Sequence, residues 1–151
     1  MILDPPSLQP LSAAEIQHGS NGIRVLIADD HHGVLDRVIE VIEQHFAVVG
    51  TATDGKMLVE AALRLQPDII VSDVVMPGFS GLDAARVLRE RECAAKFIFL
   101  SVYERGEFVR ACFSEGGLGY VTKARIATDL IVAIKEVISG RQFVSPSVQN
   151  L

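Results

Sequence analysis

The 151-residue chain is 49% apolar and 22% charged with a net charge of −5, a balance that suits one ordinary globular domain with a substantial core. It argues against nucleic-acid binding carried by this chain, because phosphate contacts need clustered Lys and Arg. No apolar run approaches the ~18 residues of a membrane span. The N-terminus lacks a basic-then-apolar leader, and Cys93 and Cys112 form no CxxC pair, so the chain reads as cytoplasmic with reduced thiols.

Residues 1–22 hold three of the six prolines and no sustained periodicity. They read as a flexible N-terminal extension, with a capping-box pattern at Ser12 and Glu15 for a single helical turn. From Ile23 onward short apolar runs alternate with amphipathic stretches. The runs IRVLIA (23–28), AVVGTA (47–52), DIIVSD (68–73), KFIFLS (96–101) and LGYVT (118–122) are rich in β-branched residues and apolar on both faces, as buried parallel strands are.

Between the first two runs, Val34, Leu35, Val38, Ile39, Ile42 and Phe46 make a helical stripe. Residues 55–65 follow Asp54 as an N-cap, and 81–91 follow Ser80 with Asp83 three positions on. A fourth helix is expected over 105–115. The last covers about 129–139, with Leu130, Ile134, Val137 and Ile138 inward and Gly140 as its stop. Gly116, Gly117 and Gly119 lack P-loop spacing and read as a tight helix-to-strand turn. Five strands alternating with five helices predict an α/β, doubly wound parallel sheet with helices on both faces.

In such a sheet, functional groups gather beyond the carboxyl ends of the strands. Asp29 and Asp30 follow the first strand, Asp73 ends the third, Ser101 ends the fourth, and Lys123 follows the fifth. Neighbouring carboxylates repel one another and need a cation. All-oxygen ligation favours Mg²⁺ or a similar hard ion. Asp can form a covalent phosphoryl intermediate. A divalent ion and a lysine neutralise the charge that builds in phosphoryl transfer, and a nearby hydroxyl can bond the transferred group. His31 and His32 read as exposed residues at a helix start, with no further His or Cys at ligand spacing.

The acidic pair Asp29–Asp30, SDVVMPGFSG around Asp73, FLS ending at Ser101 and GYVTK ending at Lys123 together resemble the receiver domains of two-component response regulators, over about residues 23–140. The resemblance implies the flavodoxin-like sheet order 2-1-3-4-5. It makes Asp73 the phosphoacceptor and assigns Mg²⁺ (or Mn²⁺) to Asp29, Asp30, Asp73 and the backbone carbonyl of Val75. Lys123 and Ser101 would bind the phosphoryl group, Ser101 and Tyr120 would form the switch, and the donor would be a sensor histidine kinase. ADDHHGVLDRVIEVI, VVGTATDG, Ala124 after Lys123 and DLIVAIKEVISGRQFVSPSV are similar to the LuxR/NarL/FixJ type, which carries a C-terminal helix-turn-helix domain. By that likeness residues 141–151 begin a linker to an output domain absent from this chain, and regulation would proceed through transcription, with a homodimer as one expected assembly.

Two other functions compete with this one. A haloacid-dehalogenase-type phosphohydrolase needs a second Asp two positions after its nucleophile, where Val75 stands. A stand-alone receiver would act by protein–protein contact alone. Val75 and Tyr103 are also expected to border the in-line water path to an Asp73 phosphate and so to tune its lifetime.

Overall fold

The computed structural model describes residues 22–151; the helical turn expected at Ser12–Glu15 lies outside them. A six-stranded sheet of order β2-β1-β3-β4-β5-β6 carries helices on both faces. The strands are β1 (Arg24–Ala28), β2 (Ala47–Ala52), β3 (Ile69–Asp73), β4 (Lys96–Ser101), β5 (Gly119–Thr122) and β6 (Phe143–Val144). The helices are α1 (His32–Ile42), α2 (Gly55–Leu65), α3 (Gly81–Glu90), α4 (Gly106–Ser114) and α5 (Ile126–Ile138), with a 3-10 turn at Lys123–Arg125 before α5. All strand pairings are parallel, so every carboxyl end meets one rim. This is the doubly wound parallel α/β architecture expected from the sequence, with one strand more than predicted.

The apolar-on-both-faces pattern splits into two cores. Leu26, Ile70, Phe97, Phe99 and Tyr120 point into one cluster with Leu58, Leu88 and Val109. Val25, Ile27, Val71, Ile98, Leu100 and Val121 point into the other with Leu35, Val38, Leu130 and Ile134. Each fully buried aliphatic side chain contributes about 1.5–3 kcal/mol. The alternation along β1 and β4 sends neighbours to opposite helix layers, which fixes strand register.

Local signals set most element ends. Asp54 accepts from the Met57 amide at 2.8 Å, and Ser80 and Asp83 close both halves of a capping box. At the other end of α5, Gly140 takes φ +90°. Its amide bonds to Val137 O, and that of Arg141 bonds to Glu136 O, a Schellman closure suited to glycine. The last helix begins at Ile126, three residues earlier than the pattern predicts, because the Lys123–Arg125 turn winds directly into it without a side-chain cap.

The segment expected to begin a linker is docked on the domain. Phe143–Val144 pairs with Gly119–Tyr120 as the sixth strand. Ser145 is buried; its hydroxyl donates to Asp129 at 2.7 Å and accepts from the Thr122 amide at 3.1 Å. Arg125 grips the same Asp129 carboxylate through two bonds. Burial pushes the Asp129 carboxyl up, but the bonds from Arg125 and Ser145 outweigh it and hold it below its usual value.

Leu100 is fully buried, so Leu100→Ala is expected to cost about 2–5 kcal/mol. Asp54→Ala removes only a cap, worth about 1 kcal/mol. Urea unfolding of both variants checks the ranking, and a Leu100→Ala loss no greater than that of the cap would contradict this account of the core.

Candidate functional site

Three parallel strands and one turn bring the charged residues together. Asp29 directly follows β1, Asp73 closes β3, Ser101 closes β4, and Lys123 begins the turn after β5. The Lys123 ammonium lies 3.0 Å from Asp29 Oδ2 and 3.2 Å from Asp73 Oδ2. Asp29 is wholly buried, and Asp73 nearly so. Asp73 Oδ1 accepts a long bond, 3.4 Å, from the Val75 amide. Asp30, Val75, Met76, Ser101, Tyr103 and Lys123 are among the residues lining a cleft of about 440 Å³ over these groups.

The electrostatics are unbalanced toward negative charge. Burial and the nearby Asp29 carboxylate push the Asp73 carboxyl above its usual value, and the pull of Lys123 and the Val75 amide is too weak to reverse this. Burial pulls the Lys123 ammonium down, but its contacts with Asp29 and Asp73 raise it overall. Lys123 therefore stays charged and offsets one carboxylate, leaving two.

Ligand atoms of Asp29, Asp30, His31 and Asp73 lie within 4.8 Å of one another. Asp29 Oδ2 and Asp30 Oδ1 are buried without a hydrogen bond; the Lys123–Asp29 approach is a charge contact outside hydrogen-bond geometry. Carboxylate oxygens that are buried and lack a hydrogen bond, in a cluster with more negative than positive charge, fit a hard divalent cation.

His31 is 69% exposed at the N-cap of α1, as expected, yet its Nδ1 lies 3.3 Å from both Asp29 Oδ1 and Asp30 Oδ1. The contact is local: the chain bends at Asp30, and the His31 amide bonds to Asp29 Oδ1 at 2.9 Å.

The remaining predicted residues lie on one side of this cluster. Ser101 Oγ accepts from the Tyr103 amide at 3.0 Å. Tyr120 is fully buried on β5, and its hydroxyl donates to Tyr103 O at 2.8 Å. Burial raises the Tyr120 phenol, keeping it a neutral donor. Val75 is 62% exposed and Tyr103 47% exposed. The Tyr103 ring stacks on Phe108 with centroids 4.3 Å apart.

The Response regulator receiver domain family model matches residues 25–135. The chain belongs to the response regulator receiver family. Phosphorylation on an aspartate is general in this family. The chain is 34% identical to Response regulator GacA of Pseudomonas aeruginosa over 129 residues, 83% of this chain and 60% of that protein. It is 33% identical to Transcriptional regulatory protein DegU of Brevibacillus brevis over 136 residues, 89% of this chain and 58% of that one. The chain thus spans about 60% of the length of such relatives. Among solved structures, a LuxR-family response regulator from Aurantimonas superposes with a TM-score of 0.80 at 31% identity, covering 84% of this chain and 92% of that one. The isolated receiver domain of RcsB from Salmonella enterica with beryllofluoride gives 0.77 at 27% identity, covering 85% and 96%.

The raised Asp73 pKa sets a sign for stability. Its folded-state value exceeds that of the unfolded chain, so ionised Asp73 opposes folding. The penalty is absent below the unfolded value of ~3.9 and fully present above the folded one. At pH 7 without divalent cations, Asp73→Asn is therefore expected to raise Tm. A calorimetric scan in EDTA showing an unchanged or lower Tm would contradict it.

Proposed function

We propose that this chain is a phosphorylation-operated switch in which Asp73 accepts a phosphoryl group from the phosphohistidine of a sensor kinase in the cytoplasm. The observation that carries the reading is the Lys123 ammonium within 3.2 Å of two carboxylates, Asp29 and Asp73. An Asp73 carboxylate oxygen attacks phosphorus as the bond from phosphorus to the donor's nitrogen breaks. Lys123 neutralises charge on the transferred group, and the Ser101 hydroxyl turns from the Tyr103 amide to donate to it. Asp29, Asp30, Asp73 and the Val75 carbonyl would hold Mg²⁺ or Mn²⁺, which supplies charge neutralisation to phosphoryl oxygens when bound.

Ser101 and Tyr120 then carry the signal. Moving Ser101 frees the Tyr103 amide, and the Tyr120 hydroxyl is bonded to the carbonyl of that same residue. A new charge at Asp73 thereby shifts a population between two packings of the β4–α4 loop. Residues 23–140 act as the receiver, and the output is transcription through a DNA-binding domain outside these 151 residues. Support for that output comes from the longer relatives whose names describe transcriptional regulators. A homodimer and the histidine kinase are the proposed partners. The protein is a signalling element whose only chemistry is its own phosphorylation and dephosphorylation. With Val75 two positions after Asp73, the dehalogenase-type acid/base is missing.

Acetyl phosphate with Mg²⁺ is expected to add one phosphoryl group to the wild-type protein and none to Asp73→Asn. Intact-mass spectrometry reads this directly, and undiminished labelling of the Asn variant would refute the assignment.

Val75 and Tyr103 bear on how long the acyl phosphate lasts. Hydrolysis needs a water in line with phosphorus, opposite the Asp73 oxygen. Val75 offers no polar group, and Tyr103 is stacked on Phe108, so neither is suited to orient that water. Val75→Asn combined with Tyr103→Glu is expected to speed decay about tenfold or more, within the range positioned polar groups supply. The check is to remove donor and follow phosphate loss in Mg²⁺; equal decay rates would sink the idea.

A further inference from the structure

Residues 143–150 lie along the edge of the sheet and over the start of α4. The Ser145 amide donates to Tyr120 O at 2.9 Å, and Ser147 Oγ lies 3.2 Å from Thr122 Oγ1. Val144 and Val148 pack on the cluster that holds Tyr120, Phe99 and Val109. Further along, the Gln149 amide donates to Glu104 O at 2.7 Å, and the Gly106 amide donates to Gln149 O, also at 2.7 Å. The Arg110 guanidinium reaches Asn150 O at 3.2 Å. At Gly106 the tail backbone comes so close that a Cβ would stand 2.3 Å from Asn150 O.

The contacts of Gln149 fall at the end of one short loop, residues 102–105, between β4 and α4. Ser101 Oγ anchors its beginning through the Tyr103 amide. Tyr120 holds its middle through Tyr103 O. The tail pins its end at Glu104 and Gly106. The same backbone is thus held by Ser101, which lines the cleft over Asp73, on one side and by the C-terminal segment on the other.

From this shared loop we infer that residues 143–150 form a strap that holds the loop in its unphosphorylated arrangement and loosens when Asp73 is occupied; this rests on the phosphoacceptor reading above. When the Ser101 hydroxyl turns toward a phosphoryl group, the Tyr103 amide loses its acceptor and residues 102–105 must repack. The two bonds from Gln149 resist that movement. Docking of the strap and occupation of Asp73 therefore oppose each other, and by linkage each weakens the other by the same factor. A merely structural sixth strand would carry no such antagonism. Because the strap lies at the C-terminal end of the receiver, its release would reach whatever follows it.

The test uses the 151-residue chain with Mg²⁺ and beryllofluoride as the phosphoryl mimic, read by fluorine NMR for site occupancy and by amide hydrogen exchange. Occupancy is expected to speed exchange at Gly106, Ser145 and Gln149 by roughly fivefold or more, in the range of ordinary coupling. Gly106→Ala, whose Cβ would meet Asn150 O in the docked state, is expected to raise beryllofluoride affinity by a similar factor. Ser145→Ala, which strips Asp129 and the Thr122 amide of a partner, serves if the first variant does not fold. Beryllofluoride bound at the site with strap exchange unchanged or slowed would overturn the strap and leave the Asp73 reading intact. Failure of beryllofluoride to bind the folded wild-type protein would overturn both.

Discussion

The pairing of one ammonium with two buried carboxylates at the end of the sheet is the constraint on which the rest depends. Asp29 and Asp73 come from adjacent parallel strands, and Lys123 reaches them from the turn after β5. Three elements distant in sequence must be in register for those contacts to form. Removing the lysine would leave like charges side by side in a poorly solvated rim, a cost of several kcal/mol for a buried pair broken on one side. The arrangement is a compromise between stability and chemistry. With Asp30 counted, two negative charges remain beside Lys123, an excess that suits a hard cation. The fold tolerates it because both cores are deep and fully apolar beneath it.

Much of this was legible in sequence for identifiable reasons. Strands β2 and β4 match their apolar runs at both ends: β4 is buried on both faces, whereas β2, half-buried at the sheet edge, is bounded by its own short β-branched run. Asp54, Ser80 and Asp83 marked two helix starts because capping is a local interaction of three or four residues. The carboxyl-end rule placed Asp29, Asp73, Ser101 and Lys123 on one rim. Where local signals were missing, boundaries moved. Helix α5 begins at Ile126 because the turn that positions Lys123 continues into it, and no capping side chain marks the junction.

The larger miss is the C-terminal segment. Two residues of strand are too few to show any period, and Pro146 with two nearby serines reads as loop. What docks Phe143–Val144 is long-range: the open edge of β5, together with Asp129 one turn into α5. Asp129 stands in the first turn of α5, where the helix dipole alone would favour an acid. In three dimensions it is buried and shared between Arg125 and Ser145, so its role depends on a partner 16 positions away. The His31 contact is of another kind: it is local, an amide-to-carboxylate bond two positions back that brings the ring beside Asp29 and Asp30.

The sixth strand changes how the switch region must be understood. With β5 at the sheet edge, Tyr120 would sit beneath an open row of backbone groups, and edge strands left open are prone to unwanted pairing. Covering that edge with a strand of only two residues protects it while keeping the cover weak, since few ladder bonds have to break for it to leave. The interior has no comparable freedom. Its strands are paired on both sides, its side chains are close-packed, and packed cores switch between discrete states in preference to deforming gradually. Under the proposed switch, movement initiated at Asp73 would be confined to the parts held by a handful of hydrogen bonds: the Ser101 hydroxyl, the loop through Tyr103 and Glu104, and the segment from Ser145 to Asn150. Those parts are contiguous, so a charge change at the end of the central strand β3 would have a path to the β6 edge that leaves the core between them undisturbed.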